Sequence, residues 1–152
     1  ALLNRYCDAI HRSVFSSTDV PPAAQGAFTQ NGRGRKVAAD LLDLAASEWL
    51  FDGRSAENLV MSAILLSITS LGMNSRWKEA VCTSLGVKMN KLNRRVAELR
   101  AVALGVVRSL PGRADTSDFI LLRGLSTSLH LARLERSAAA LALERPLLEE
   151  AE

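Results

Sequence analysis

The chain has 152 residues, of which 48% are hydrophobic and only 5% aromatic, with a formal net charge of +3. Such a length supports one domain with a sizeable core, and the abundance of Ala and Leu favours packed helices over sheets. A membrane span needs roughly 20 mostly apolar residues; the longest uncharged run, residues 58–75, is interrupted by Ser62, Ser67, Thr69, Ser70 and Gly72 and reads as a core helix. Ala1 opens directly into helical pattern with Arg5 and Asp8, which is not the pattern of a secretory leader.

Leu3, Cys7, Ile10 and Val14 recur at helical spacing and predict a first helix over residues 2–15. Residues 16–35 break the periodicity with Pro21, Pro22, Gly26, Gly32 and Gly34, and read as a long, mobile, solvated insertion. Its basic end, Arg33, Arg35 and Lys36, is a candidate phosphate contact. Val37, Leu41 and Leu44, with Trp49, predict a second helix to about residue 50, closed by Asp52-Gly53. Ser55 is placed to cap a third helix, with Glu57 at the positive end of its dipole. Apolar side chains then cover nearly every face from Leu59 to Leu71, so this helix must be enclosed by its neighbours, helices one, two, four and five.

Gly72 stops the third helix, and a fourth is expected over residues 76–85. Gly86-Val87 turns the chain into a fifth helix beginning near Lys88, with Leu92, Val96, Leu99, Ala103, Val106 and Leu110 as its core stripe. Pro111-Gly112 ends it. Residues 117–143 are again helical: Phe119, Leu122, Leu125 and Leu129 form one stripe, and Leu131, Leu134, Ala138, Leu141 and Ala142 a second. His130-Leu131-Ala132 is a candidate break, and Pro146 is expected to end or kink the last helix.

Charge is unevenly spread. Residues 1–112 hold 14 Lys+Arg against 9 Asp+Glu, and residues 113–152 hold 5 against 7. The window 76–100 alone holds 7 basic and 2 acidic residues, the footprint of a polyanion site or of a solvated face. No catalytic constellation is visible. His11, one turn beyond Cys7 and Asp8, lacks a second cluster to complete a ligand set, and His130 has none. Gly32-Arg33-Gly34 lacks the Lys-Ser/Thr of a phosphate loop. Cys7 and Cys82, with no motif around them, read as reduced and buried in an intracellular protein.

A helix-turn-helix needs a small residue in its first helix, glycine at the turn and apolar anchors in its second; Ala80 or Cys82, Gly86, and Leu92 with Val96 meet this. Such a unit can set its second helix in a major groove, with Lys88, Lys91, Arg94 and Arg95 toward phosphates and Asn90 and Asn93 toward bases.

The five-helix order, the Gly53-Arg54-Ser55 start of the third helix, its Ala/Ile/Leu-rich body, and SRWKEAVCTSLGV followed by a basic helix resemble a cyclin-like repeat of transcription factor IIB, in a divergent, trypanosomatid-like form. Lys78 and Glu79 fit the family's opening of the helix-turn-helix; Leu65 or Leu66 replaces its central Tyr, and Asn90 and Asn93 stand where it places Val and Arg. The resemblance implies an all-α fold: a repeat over residues 1–112, followed by residues 113–152 as a helical extension or the first helices of a second repeat, docked on the first. It implies a nuclear, cofactor-free, non-enzymatic module that contacts TATA-binding protein, promoter DNA and RNA polymerase II. Arg54, Lys78, Lys88, Asn90, Lys91, Asn93, Arg94 and Arg95 are the expected contacts, Arg54 because it precedes a helix N-terminus. A cyclin-box module that binds only protein, or a regulator that dimerises through its tail, are the alternatives.

Overall fold

The computed structural model describes residues 2–47 and 56–151. These form seven α-helices and two 3-10 turns, with no strand: α1 (Leu2–Ser13), α2 (Arg33–Ser47), α3 (Ala56–Ser70), α4 (Ser75–Ser84), α5 (Asn93–Arg108), α6 (Asp118–Arg123) and α7 (Leu125–Ala151), the 3-10 turns being Pro22–Ala24 and Met89–Lys91. The expected helix-two end, the Asp52-Gly53 turn and the Ser55 cap lie outside the described residues.

α3 is the axis of the molecule. Leu59 to Ile68 are buried without interruption, so burial runs round the whole helix circumference. α1, α2, α4, α5 and α6 all pack on it. The serines that interrupt its apolar run need no outside partner: Ser62 Oγ donates to the Asn58 carbonyl at 2.7 Å, Ser67 to Ile64 at 2.6 Å and Ser70 to Ser67 at 2.6 Å. Hydroxyls that bond back to their own turn can be buried without leaving an unpaired group. At the N-terminal end Tyr6 of α1 donates to Glu57 of α3 at 2.6 Å.

Residues 16–35 differ from the expected solvated insertion. Val20, Ala24, Ala27 and Phe28 are buried, and the Phe28 ring lies 4.7 Å from that of Phe15. The segment is short turns around these apolar side chains, including the 3-10 turn that Pro22 opens, and it joins the main core. It also ends earlier than expected, because α2 begins at Arg33.

The tail, α6 and α7, docks on the rest of the chain. Leu121, Leu122, Leu125 and Leu129 join the same core as α1–α5. Polar clips hold it to the body: Arg108 and, at 3.6 Å, Arg100 of α5 to Asp118, and Arg133 to Asp40 at 2.7 Å and Asp43 at 3.4 Å on α2, while Arg113 braces the tail itself by donating to Ser128 Oγ at 2.6 Å. The Arg123 guanidinium lies over Gly72 at the C-terminal end of α3, where a positive charge suits the helix dipole; a Cβ on Gly72 would sit 2.6 Å from its Cζ. The break between tail helices falls at Gly124, not at residues 130–132. That break turns Phe119 out to 69% exposure, so it leaves the stripe expected with Leu122, Leu125 and Leu129. Pro146 does not end α7, which continues to Ala151. On α5 the buried face is also rotated from the expected stripe: Leu104 and Val107 are inside, while Val96 and Val106 are only partly covered.

Leu92, fully enclosed at the entry to α5, is the anchor most open to test. Leu92→Asp puts a charge with no partner into the core; cooperative thermal unfolding followed by circular dichroism should be lost or shifted down by well over ~10 °C. Asp40 offers a second test. Burial raises its pKa above the ordinary 3.8, against the lowering effect of Arg133. A carboxyl raised on folding contributes most below its unfolded value, and that contribution fades as pH rises through the raised folded value. Asp40→Asn removes this falling component, so stability from urea titrations should climb more steeply with pH above about 4 than in the unsubstituted protein.

Candidate nucleic-acid and partner interface

The site is built from the connection between α4 and α5. Asn74 caps α4, its Oδ1 accepting from the Arg76 N–H at 3.1 Å. The other end is closed by a Schellman arrangement: the Val87 N–H donates to Cys82 O at 2.9 Å and the Gly86 N–H to Thr83 O at 3.2 Å. Gly86 has φ +69°, and a Cβ on it would meet nothing within 4 Å. Its requirement for glycine is therefore purely one of backbone conformation.

Beyond Gly86 the chain does not enter a helix at once. Lys88 is extended, Met89–Lys91 form a 3-10 turn, and α5 begins at Asn93. The helix thus starts later than the expected position near Lys88. Leu92 is buried beneath this turn while Lys88, Asn90, Lys91, Asn93 and Arg94 are exposed around it. α4 itself packs on α1, α3 and the 3-10 turn. One buried leucine sets the orientation of the polar side chains on either side of it.

Two expected cations are placed differently. Arg95 faces inward, its side chain 17% exposed and bonded to Glu98 Oε2 at 2.6 Å, and its Nε is buried with no hydrogen-bond partner. Arg94, 90% exposed, also reaches Glu98, at 3.3 Å. Glu98 therefore tempers the positive charge of both, an effect its spacing to Arg94 (i, i+4) and Arg95 (i, i+3) makes readable in the sequence. Lys78 is half-buried on α4, and its pKa is lowered, first by burial and then by the positive charge of Arg100. Arg100 was not among the expected contacts, yet it lines a groove of about 440 Å³ with Asn93, Val96, Ala97, Ala101, Leu104 and Asp118. Its position two helical turns beyond Asn93 was the available signal. Arg54 lies outside the described residues.

The second basic set is not continuous with the first. Arg33 and Lys36 are exposed at the start of α2, but Arg35 is a strut: its Nη1 bonds Asp8 at 2.9 Å and its Nε bonds Asn4 at 3.3 Å, tying α2 to α1. Arg35 and Lys36 line a separate groove of about 510 Å³ with Asn4, Gln30 and Asn31.

Cys7 and Cys82 are both free and buried. Burial pushes the Cys7 thiol up to about 11, so it is held as the unreactive thiol at neutral pH. Among the described residues no group of three or more His, Cys, Asp or Glu is gathered to hold a metal ion, and no helix is long and apolar enough to cross a membrane. No protein-family model, curated protein or solved structure matches this chain.

The turn is testable through its glycine. Gly86→Ala keeps every contact but forces a side chain into the left-handed region; stability measured by urea unfolding should fall by about 1–2 kcal/mol.

Proposed function

We propose that α1–α5 form a cyclin-like repeat with α6–α7 as its extension, and that this chain is a module of a general transcription initiation factor resembling transcription factor IIB. It would bind promoter DNA together with TATA-binding protein and help recruit RNA polymerase II in the nucleus. It would act by surface complementarity, without bond chemistry or a cofactor. The arrangement that favours this is the α4–α5 connection. There a buried Leu92 carries Lys88, Asn90, Lys91, Asn93 and Arg94 on one exposed stretch, supported from behind by an enclosed central helix. Lysines there can neutralise phosphates and release counterions, and the Asn amides can each offer a donor and an acceptor to a base edge.

A protein-only cyclin-box module is the second reading. The groove along α5, with Val96, Ala97, Ala101 and Leu104 in its floor and Asn93, Arg100 and Asp118 among its polar residues, favours it. The inward turn of Arg95 favours it as well, since it thins the cationic face.

Gel-shift titration with promoter DNA, with and without TATA-binding protein and over a range of salt, separates the two. The expected result is salt-dependent binding that needs the partner. Replacing Lys88, Lys91 and Arg94 by Ala should weaken it and lower the slope of log affinity against log salt by roughly 2–3, with helicity unchanged. Binding that ignores the triple substitution removes this surface from the assignment, and failure to bind DNA under any condition leaves the protein-only module.

A further inference from the structure

The groove between α1 and the start of α2 lies apart from the α4–α5 surface. It has a volume of about 510 Å³ and is lined by three side-chain amides, Asn4, Gln30 and Asn31, and two cations, Arg35 and Lys36. Arg35 is oriented before any ligand arrives. Its side chain is 12% exposed, with Nη1 2.9 Å from Asp8 Oδ1 and Nε 3.3 Å from Asn4 Oδ1. Its third nitrogen, Nη2, bonds to nothing among the described residues. Because Asn4 Oδ1 is engaged in this way, the nitrogen of the same amide remains as a donor. Lys36 is exposed and forms no ion pair among the described residues, and the side-chain amides of Gln30 and Asn31 are equally uncommitted among them. The rim is stapled to the helix: the Arg35 N–H donates to Ala27 O at 2.9 Å and the Lys36 N–H to Gly32 O at 3.1 Å. A site whose guanidinium and rim are already fixed loses little freedom on binding.

We propose that this groove binds the phosphate group of a small phosphorylated molecule. A braced guanidinium and a mobile ammonium are the pair of cations suited to a phosphate, the first by direction and the second by charge. The amides of Asn4, Gln30 and Asn31 supply neutral donors for the remaining oxygens or for hydroxyls of the ligand's organic part. A volume of about 510 Å³ leaves room for that part beside the phosphate. Charge on either side limits the ligand's length. Asp8, one turn beyond Asn4 on α1, has a side chain 57% exposed, and Asp40 stands one turn beyond Lys36 on α2. The cationic stretch is therefore about one helical turn, roughly 5 Å, which matches one phosphate and not the run of phosphates along a nucleic-acid strand. No residue of the α4–α5 surface takes part, so this site stands or falls independently of the DNA-binding assignment.

Amide proton–nitrogen correlation spectra of the full chain, titrated with inorganic phosphate, with glycerol phosphate and with chloride at equal ionic strength, test the site. Both phosphates should move the backbone signals of Asn31, Gly32 and Lys36 and the side-chain amides of Asn4, Gln30 and Asn31 along saturating curves, glycerol phosphate at the lower concentration. Chloride should leave them in place. Lys36→Gln should weaken binding about tenfold, and Asn31→Asp, which sets a carboxylate in the groove, should abolish saturation. Both positions are exposed, so the signals of the core should stay where they are. Shifts that never saturate, that chloride reproduces, or that persist unchanged in the two variants overturn the proposal. Saturation by inorganic phosphate with no gain from the glycerol ester overturns the ester as ligand. Saturation by duplex DNA alone overturns the proposal as well, and gives the groove to the nucleic-acid surface.

Discussion

Enclosure of α3 is the constraint on which the rest of the molecule depends. A helix that is apolar on every face gains about 1.5–3 kcal/mol for each large side chain it buries, but only if neighbours close round the whole circumference. α1, α2, α4 and α5 supply most of that cover, and α6 completes it. The hydroxyls within α3 fit the same constraint, since each bonds to its own turn and none asks for water. Because the axis is fixed, the helices around it have little freedom, and the surface they present is set by the core beneath.

The candidate interface follows from that frame. Leu92 is drawn into the core at the point where the chain passes from α4 to α5. The Schellman closure at Gly86 supplies the change of direction. What is left over is an exposed stretch rich in Lys and Asn, held rigidly because its anchor is buried. Glu98 limits how much of the α5 charge is available, pairing with both Arg94 and Arg95. The surface is therefore a polar one with a modest positive bias.

The tail is joined to the body by mixed means. Leucines of α6 and the start of α7 extend the core, and arginines from both sides of the junction clip it. Asp118 accepts from Arg108 and lies 3.6 Å from Arg100, and the Arg108 hydrogen bond lowers its pKa. Past Ala132 the described side chains of α7 lose their apolar cover, and the helix carries a leucine seam outward.

Much of this was readable from residue order. The continuous apolar run fixed α3 as the central helix, period-3.6 stripes located the other helices, and Gly86 marked the turn. In residues 16–35 the prolines and glycines masked Val20, Ala24, Ala27 and Phe28, whose spacing was the sign of a packed segment. Tertiary packing alone decided where side chains at the edge of a stripe would point. The pairing of Arg95 with Glu98, three residues on, is local, but how far the Arg95 side chain would be covered was not set by that spacing. Lys78 is half-buried, and after burial the charge of Arg100 on α5, remote in sequence, also lowers its pKa. The break at Gly124 reassigns Phe119 to the surface through a rotation that periodicity cannot register. Local pattern determines which residues form a helix, because backbone bonding is local; which face is buried depends on helices that arrive from elsewhere in the chain.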